Sequence, residues 1–311
     1  MTSYDKNGRL RITLSSTGST GGGSLAVRAS GALGSVSATN VTTLTFSGSF
    51  LTASNPNSGQ VNVSYFENAP IMFLSGFRCS STNPAHHNFY IVTSSGFFSG
   101  SENFMCSVLY SSPWPSQNTT HLAGNGTGPT ATLSEWKLIA WGTDWYTDDS
   151  LGVDIGSWTA LIAPGASAFN KWHLAYMYYS VNEINQGKAL LDQPGADYDF
   201  GVSVPTWNTT VSFSIGGYGN GFTQDGTFDT RIAAVALATG SYVKDKETLF
   251  RYFQQVVKDG DIVQNGIMNW NHIWSVKQNT PGAVWRDAVG SFHLNRSGTL
   301  TIGTESTPRW P

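Results

Sequence analysis

Trp172-His173-Leu174-Ala175-Tyr176-Met177-Tyr178-Tyr179 is the stretch on which the fold assignment turns. Its residues are aromatic or aliphatic, without Gly or Pro, and such a run is strand-like. The same texture recurs towards the N-terminus, in Phe89–Thr93, Phe104–Tyr110, Glu135–Trp141 and Ser157–Ile162. Turn-forming clusters separate these runs at the spacing of a sandwich or jelly roll. On the C-terminal side, Lys244–Val257 breaks the pattern. Leu249, Phe250, Phe253, Val256 and Val257 recur at three-to-four spacing, which predicts one amphipathic helix. Residues 259–311 return to strands at Phe292-His293-Leu294 and Thr299-Leu300-Thr301-Ile302.

Composition agrees with an all-β class. Only 12% of the 311 residues are charged, against about 25% in an average soluble domain. The chain holds 34 glycines and 11 tryptophans, so turn-formers and strand-formers replace helix-formers. A net charge of −3 excludes an electrostatic draw towards nucleic acid. No apolar run approaches the roughly 20 residues of a membrane-spanning helix. The opening Met1-Thr2-Ser3-Tyr4-Asp5-Lys6 has no apolar signal-peptide core, so no secretory signal is expected. Cys79 and Cys106 are too few for a disulfide framework; they form one bridge or stay as buried thiols of a reducing compartment. Six N-x-S/T sequons, beginning at Asn40, Asn62, Asn118, Asn125, Asn208 and Asn295, are read as chance in so Asn- and Thr-rich a chain.

Residues 1–66 differ from the rest. No charged residue falls between Arg28 and Glu67. Short period-two alternations recur at Leu10, Ile12 and Leu14, at Leu25 and Val27, at Leu44 and Phe46, and at Val61 and Val63. One copy of this segment has too few large apolar side chains for its own core. Two readings follow: a disordered Gly/Ser linker, or a shaft in which several chains intertwine around a shared apolar axis. The regular alternation favours the shaft, with a β-sandwich head over 67–311.

The segment 170–258 resembles the laminin-G, or concanavalin-like, family of sandwich domains. Trp172-His173-Leu174-Ala175-Tyr176 resembles its tryptophan–histidine strand. Val211-Ser212-Phe213-Ser214-Ile215-Gly216-Gly217, Phe228-Asp229 and Arg231–Leu237 follow in the family's order, and Asp245–Val257 fits its closing helix. Phe97–Phe104 resembles the turn into an early strand. Trp285–Leu294 resembles the family's opening strand and turn, yet lies near the C-terminus. The resemblance therefore implies a jelly roll with two readings of the tail 259–311: it folds back to supply edge strands, as a permutation would, or it starts an incomplete second module; the fold-back is favoured. A charge-poor strand-repeat shaft before such a head also resembles viral and phage fibre proteins. That resemblance implies a homo-oligomer, a trimer or a pentamer, on a virion surface. Its N-terminal end would join the virion, capsid or tail, and its head would bind a host-cell receptor, often a glycan.

The residues offer little catalytic chemistry. Glycosidases of this architecture place two carboxylates across the sugar bond. The glutamates here are Glu67, Glu102, Glu135, Glu183, Glu247 and Glu305, and none alternates with a second acid along one strand. Asp144, Asp148, Asp149 and Asp154 form the densest acidic group, which reads as a solvated loop, a sugar site or a calcium site. His86-His87 point to opposite faces of a strand and read as a polar loop rather than metal ligands. His173 reads as a satisfied structural histidine. Gly216–Gly221 lacks the helix N-terminus that a phosphate cradle needs. No catalytic residue, metal or cofactor is expected. A glycan site is expected at Trp141, Trp145, Tyr146, Asp148, Asp149 and Trp158, where indole faces can stack on pyranose rings beside polar neighbours.

The sequence thus predicts a non-enzymatic, homo-oligomeric viral or phage attachment protein with a glycan-binding sandwich head. Two alternatives stay open: a polysaccharide-binding or -hydrolysing protein with a concanavalin-like domain, and a virion structural or decoration protein that binds no receptor.

Overall fold

The computed structural model describes residues 13–17, 24–31, 34–41, 52–54, 62–64, 69–79, 87–91, 103–111, 120–125, 136–141, 150–155, 158–162, 171–180, 187–192, 197–200, 212–217, 226–228, 230–240 and 243–310. The chain divides into two compact units, Met1–Glu67 and Asn68–Pro311. In the first, Thr13–Thr17, Ser24–Gly31 and Gly34–Val41 pair into a three-stranded antiparallel sheet. Thr52–Ser54 pairs separately with Asn62–Ser64. Leu10, Ile12, Leu44, Phe46 and Val61 of the expected alternation lie outside the described residues.

The second unit is a jelly-roll sandwich of two antiparallel sheets. The first sheet runs, in spatial order, Trp158–Ile162, Ser150–Ile155, Trp136–Trp141, Thr120–Asn125, Phe213–Ile215, Asn88–Ile91, Leu294–Ser297 and Val284–Trp285. The second runs Asp197–Phe200, Gly187–Leu191, Trp172–Tyr179, Phe104–Ser111, Arg231–Thr239, Ile71–Ser75 and Thr301–Glu305, and His272–Ser275 pairs with Arg231–Thr239. Side chains alternate along each strand, so the inward residues of the two sheets meet. Phe104 (second sheet) packs on Trp136 (first sheet) at 4.8 Å between ring centroids. Trp136 contacts Phe213 at 6.2 Å, and Phe213 contacts Trp274 of the second sheet at 5.2 Å. Trp136 and Trp274 are fully buried. Cys106 is a free thiol within the same layer, and burial alone pushes its pKa far above the ordinary thiol value. The Cys79 side chain lies outside the described residues.

Phe104–Ser111 and Trp172–Tyr179 are buried at every position, so the second sheet is covered on both faces. The outer cover is the helix α1 (Lys246–Asp259). Asp245 caps its N-terminus by accepting from the Thr248 N–H at 2.9 Å. Leu249, Tyr252, Phe253, Val256 and Val257 form its buried face. The Tyr252 hydroxyl donates to Ser107 Oγ (3.0 Å), which donates to the Ala175 carbonyl (2.9 Å). Tyr176 reaches out from the same sheet and donates to the Val243 carbonyl at 2.7 Å. Gly260 closes the helix at φ 60°, and its N–H donates to the Val256 carbonyl.

The last fifty residues are woven into both sheets. Val284–Trp285 and Leu294–Ser297 extend the first sheet, and Thr301–Glu305 edges the second. The expected strand Phe292-His293-Leu294 begins only at Leu294, because the preceding loop is tied to Asp287. That carboxylate accepts from the backbone N–H of Ile273, Val289 and Gly290 and pairs with His272 Nδ1 at 2.6 Å. Burial opposes ionisation of Asp287, yet the bonds from His272, Gly290, Ile273 and Val289 outweigh it and hold its pKa below the ordinary value. Gly298, at φ 69°, then turns the chain, so the next strand runs Thr301–Glu305 rather than 299–302.

Two stability predictions follow from this packing. Gly216 sits at φ 77°, and a Cβ there would lie 2.0 Å from the ring of the fully buried Phe77. Gly216→Ala should lose about 2–4 kcal/mol in denaturant unfolding. Adding Phe77→Leu should return part of that loss, and strictly additive effects would refute the overlap. Asp261 is buried and accepts from Ile262 N, Ser275 Oγ and Gln278 Nε2. Burial pushes its pKa up to about 6, against those bonds and Lys277. Between pH ~4 and ~6 the native state holds a proton that the unfolded chain has released, so this group's stabilisation fades as pH rises through about 6. Asp261→Asn should remove a fall on the order of 2 kcal/mol in unfolding free energy across that window, read from thermal melts at each pH.

Candidate functional site

Of the expected sugar-binding residues, the structure describes the backbone of two, Trp141 and Trp158, both in the first sheet. Trp141 ends its strand and pairs with Ser150, while Trp158 begins the next strand and pairs with Ile155. The two tryptophans therefore sit at opposite ends of Ser150–Ile155, about 17 Å apart at ~3.4 Å per residue. The register places Trp158 at the far end of Ser150–Ile155 from Trp141. Trp145, Tyr146, Asp148 and Asp149, together with Asp144, lie outside the described residues. Asp154, from the same acidic group, is mid-strand and pairs with Lys137 and Thr159.

Two histidines fill structural posts. His173 Nδ1 lies 2.8 Å from Asp192 Oδ2, and Asp192 Oδ1 accepts from the Leu174 N–H at 2.9 Å. The pair is almost wholly buried and fixes the turn after Gly187–Leu191. His272 is committed in the same way to Asp287. His87 joins Arg78 through two backbone hydrogen bonds, and His86 lies outside the described residues. Among the described residues, no three His, Cys, Asp or Glu side chains converge as metal ligands. None of the described helices is long and apolar enough to cross a membrane.

An open polar pocket of about 470 Å³ lies on the outward side of the second sheet, lined by Phe73, Arg231, Thr304, Glu305, Thr307 and Arg309. Sequence reasoning missed it. Its residues come from three segments far apart in the chain, joined by the pairing of Ile71–Ser75 with both Arg231–Thr239 and Thr301–Glu305. Only the polar Thr304-Glu305-Ser306-Thr307-Pro308-Arg309 run, following an apolar strand, hinted at it.

Its floor is aromatic. Phe73 packs against buried Trp172 at 5.7 Å, and the Arg231 guanidinium lies 5.1 Å over the Phe73 ring. Glu305 organises the wall: its Oε2 accepts from both Trp172 Nε1 and Arg231, each at 3.1 Å. Gly303 lies flat on Phe73, where a Cβ would come within 2.4 Å of the ring tip. The chain after Glu305 is held by the Trp172 N–H donating to the Arg309 carbonyl at 2.7 Å. Trp310 packs edge-on against Phe253 of α1 at 6.1 Å. Arg309 is thereby anchored at both neighbours while its own side chain remains exposed. The pocket can bind and orient a polar ligand: it offers donors, acceptors and an aromatic floor.

No protein-family model matches the sequence, and no curated protein matches it. Solved structures do. A native heptameric SAP-like pentraxin from Limulus polyphemus aligns over 76% of this chain and 97% of its own, with a TM-score of 0.50 and 10% identity. That alignment shows a shared jelly-roll fold. The CBM40 domain of Ruminococcus gnavus IT-sialidase, bound to α2,3-sialyllactose, aligns over 55% of this chain and 95% of its own, with a TM-score of 0.34 and 14% identity. The NanB sialidase of Streptococcus pneumoniae aligns over 57% of this chain and 27% of its own, with a TM-score of 0.33 and 13% identity.

The pocket floor is testable without a ligand. Gly303→Ala should displace Phe73 and lower stability by about 1–2 kcal/mol in urea unfolding. Thr304→Ala, an exposed neighbour on the same strand, should stay within ~0.5 kcal/mol. Equal effects at the two positions would show that Gly303 does not support the ring.

Proposed function

We propose that this chain is a homo-oligomeric viral or phage attachment protein, displayed on the virion surface, whose jelly-roll head binds a host-cell glycan. The observation that carries the glycan part is the pocket of Phe73, Arg231, Thr304, Glu305, Thr307 and Arg309. Its volume suits one or two sugar rings, and its lining is hydroxyl, carboxylate and guanidinium over aromatic carbon. Binding chemistry of this kind needs no catalytic pair, and the two histidine–carboxylate pairs are occupied in holding turns. Trp141, Trp145, Tyr146, Asp148 and Asp149 are proposed as a second contact, with Trp158 at the other end of Ser150–Ile155 from Trp141.

The oligomeric part rests on residues 1–66, whose charge-poor strand repeats suit a β shaft shared between copies, a trimer or a pentamer. Several weak head sites then combine through effective concentration. Sedimentation of the full chain should give an oligomer, and a clean monomer at micromolar concentration would remove the fibre reading. A glycan array probed with the same sample should give a defined set of bound sugars. An empty array would remove the glycan reading. Cleavage of arrayed glycans that stops in Asp148→Asn or Asp149→Asn would replace it with a hydrolase.

A further inference from the structure

We propose that the pocket selects a sugar bearing a carboxylate, with Arg309 as the residue that reads the charge. This deepens the glycan-binding proposal and rests on it. The argument is one of unequal commitment among the charged groups. Three charged side chains line the pocket: Arg231, Glu305 and Arg309. Arg231 is spent, since its guanidinium is paired with Glu305 at 3.1 Å and lies over Phe73. Glu305 is spent on one oxygen only. Both of its bonds converge on Oε2, and Oε1 accepts no hydrogen bond from the described residues. Arg309 has no ion pair or side-chain hydrogen bond among the described residues, yet its backbone is fixed by Trp172 and flanked by buried Pro308 and Trp310.

The pocket therefore holds a net single positive charge, located on the uncommitted Arg309 guanidinium, whose backbone is held in place. Its fork of N–H donors matches a carboxylate in a bidentate pair. The Thr307 hydroxyl and Glu305 Oε1 supply the donors and acceptors that ring hydroxyls need. A neutral sugar would use the hydroxyl partners but leave Arg309 unmatched. A small dianion would meet Arg309 but face the Glu305 carboxylate, with nothing to occupy the hydroxyl partners. A monoanionic sugar, of the hexuronic acid kind, satisfies all of them at once.

The test is calorimetric titration of the full chain with glucuronate, glucose and inorganic phosphate. Glucuronate should bind in the millimolar range expected of one monosaccharide, at least tenfold tighter than glucose or phosphate. Arg309→Ala should weaken glucuronate about tenfold, to the level of glucose, and leave glucose unchanged; Arg309→Lys should fall between, having lost the fork. The exposed Arg309 side chain makes both variants compatible with an unchanged melting temperature, which serves as the folding control. Equal affinity for glucose and glucuronate, glucuronate binding that survives Arg309→Ala, or phosphate binding as tight as glucuronate would each overturn the charge selection while leaving glycan binding standing. Absence of binding by every sugar, together with an empty glycan array, would overturn both.

Discussion

Everything in the head depends on one aromatic contact layer between the two sheets. Phe104 of the second sheet, Trp136 and Phe213 of the first, and Trp274 of the second alternate across the interface. Rings of this size bury large apolar areas and prefer tilted neighbours about 5–6 Å apart, so they set both the spacing and the registration of the sheets. Phe89 on Trp285 extends the layer to the strands added by the tail. Removing one ring here would leave a cavity against partners drawn from three or four separate strands, which is why the layer binds distant segments into one unit.

A second constraint follows from the first. A sheet of strands buried on both faces must carry a cover on its outside, and α1 supplies it. Buried hydroxyls on that outer face need partners, and the Tyr252–Ser107–Ala175 chain and the Tyr176–Val243 bond provide them. The cover does not reach the whole sheet. At the end where Trp172, Arg231 and Phe73 emerge, the C-terminal strand and the Pro308–Trp310 segment form walls instead. The pocket is thus a part of that face that α1 leaves open. That position explains its combination of an aromatic floor with a polar rim.

Much of the head was legible from residues alone. Trp172–Tyr179 is a strand over the span its composition predicts, since an uninterrupted aromatic run with no Gly or Pro has few other options. The helix was legible from its three-to-four periodicity over Lys244–Val257, two residues ahead of the observed Lys246–Asp259 at each end, because the N-cap Asp245 and the C-cap Gly260 set the limits. The Ile215-Gly216 motif has a plain cause in a positive φ beneath the Phe77 ring. The tail strands were misplaced by two residues, because the hydrogen bonds that hold 287–293 to one carboxylate follow from three-dimensional convergence and leave no periodic trace.

The sequence by itself determined the all-β class, the jelly-roll character, the single packed helix and the structural role of His173, because each rests on local periodicity or on residue chemistry. Only the tertiary structure decided which side chains share a site. It separated Trp141 from Trp158 by the length of a strand, and it brought Phe73, Arg231 and Arg309 together from positions up to 236 residues apart, 309 minus 73. The physical reason is strand pairing: register and sheet order are set by non-local hydrogen bonds and inter-sheet packing, and no local pattern in the chain encodes which strand becomes whose neighbour.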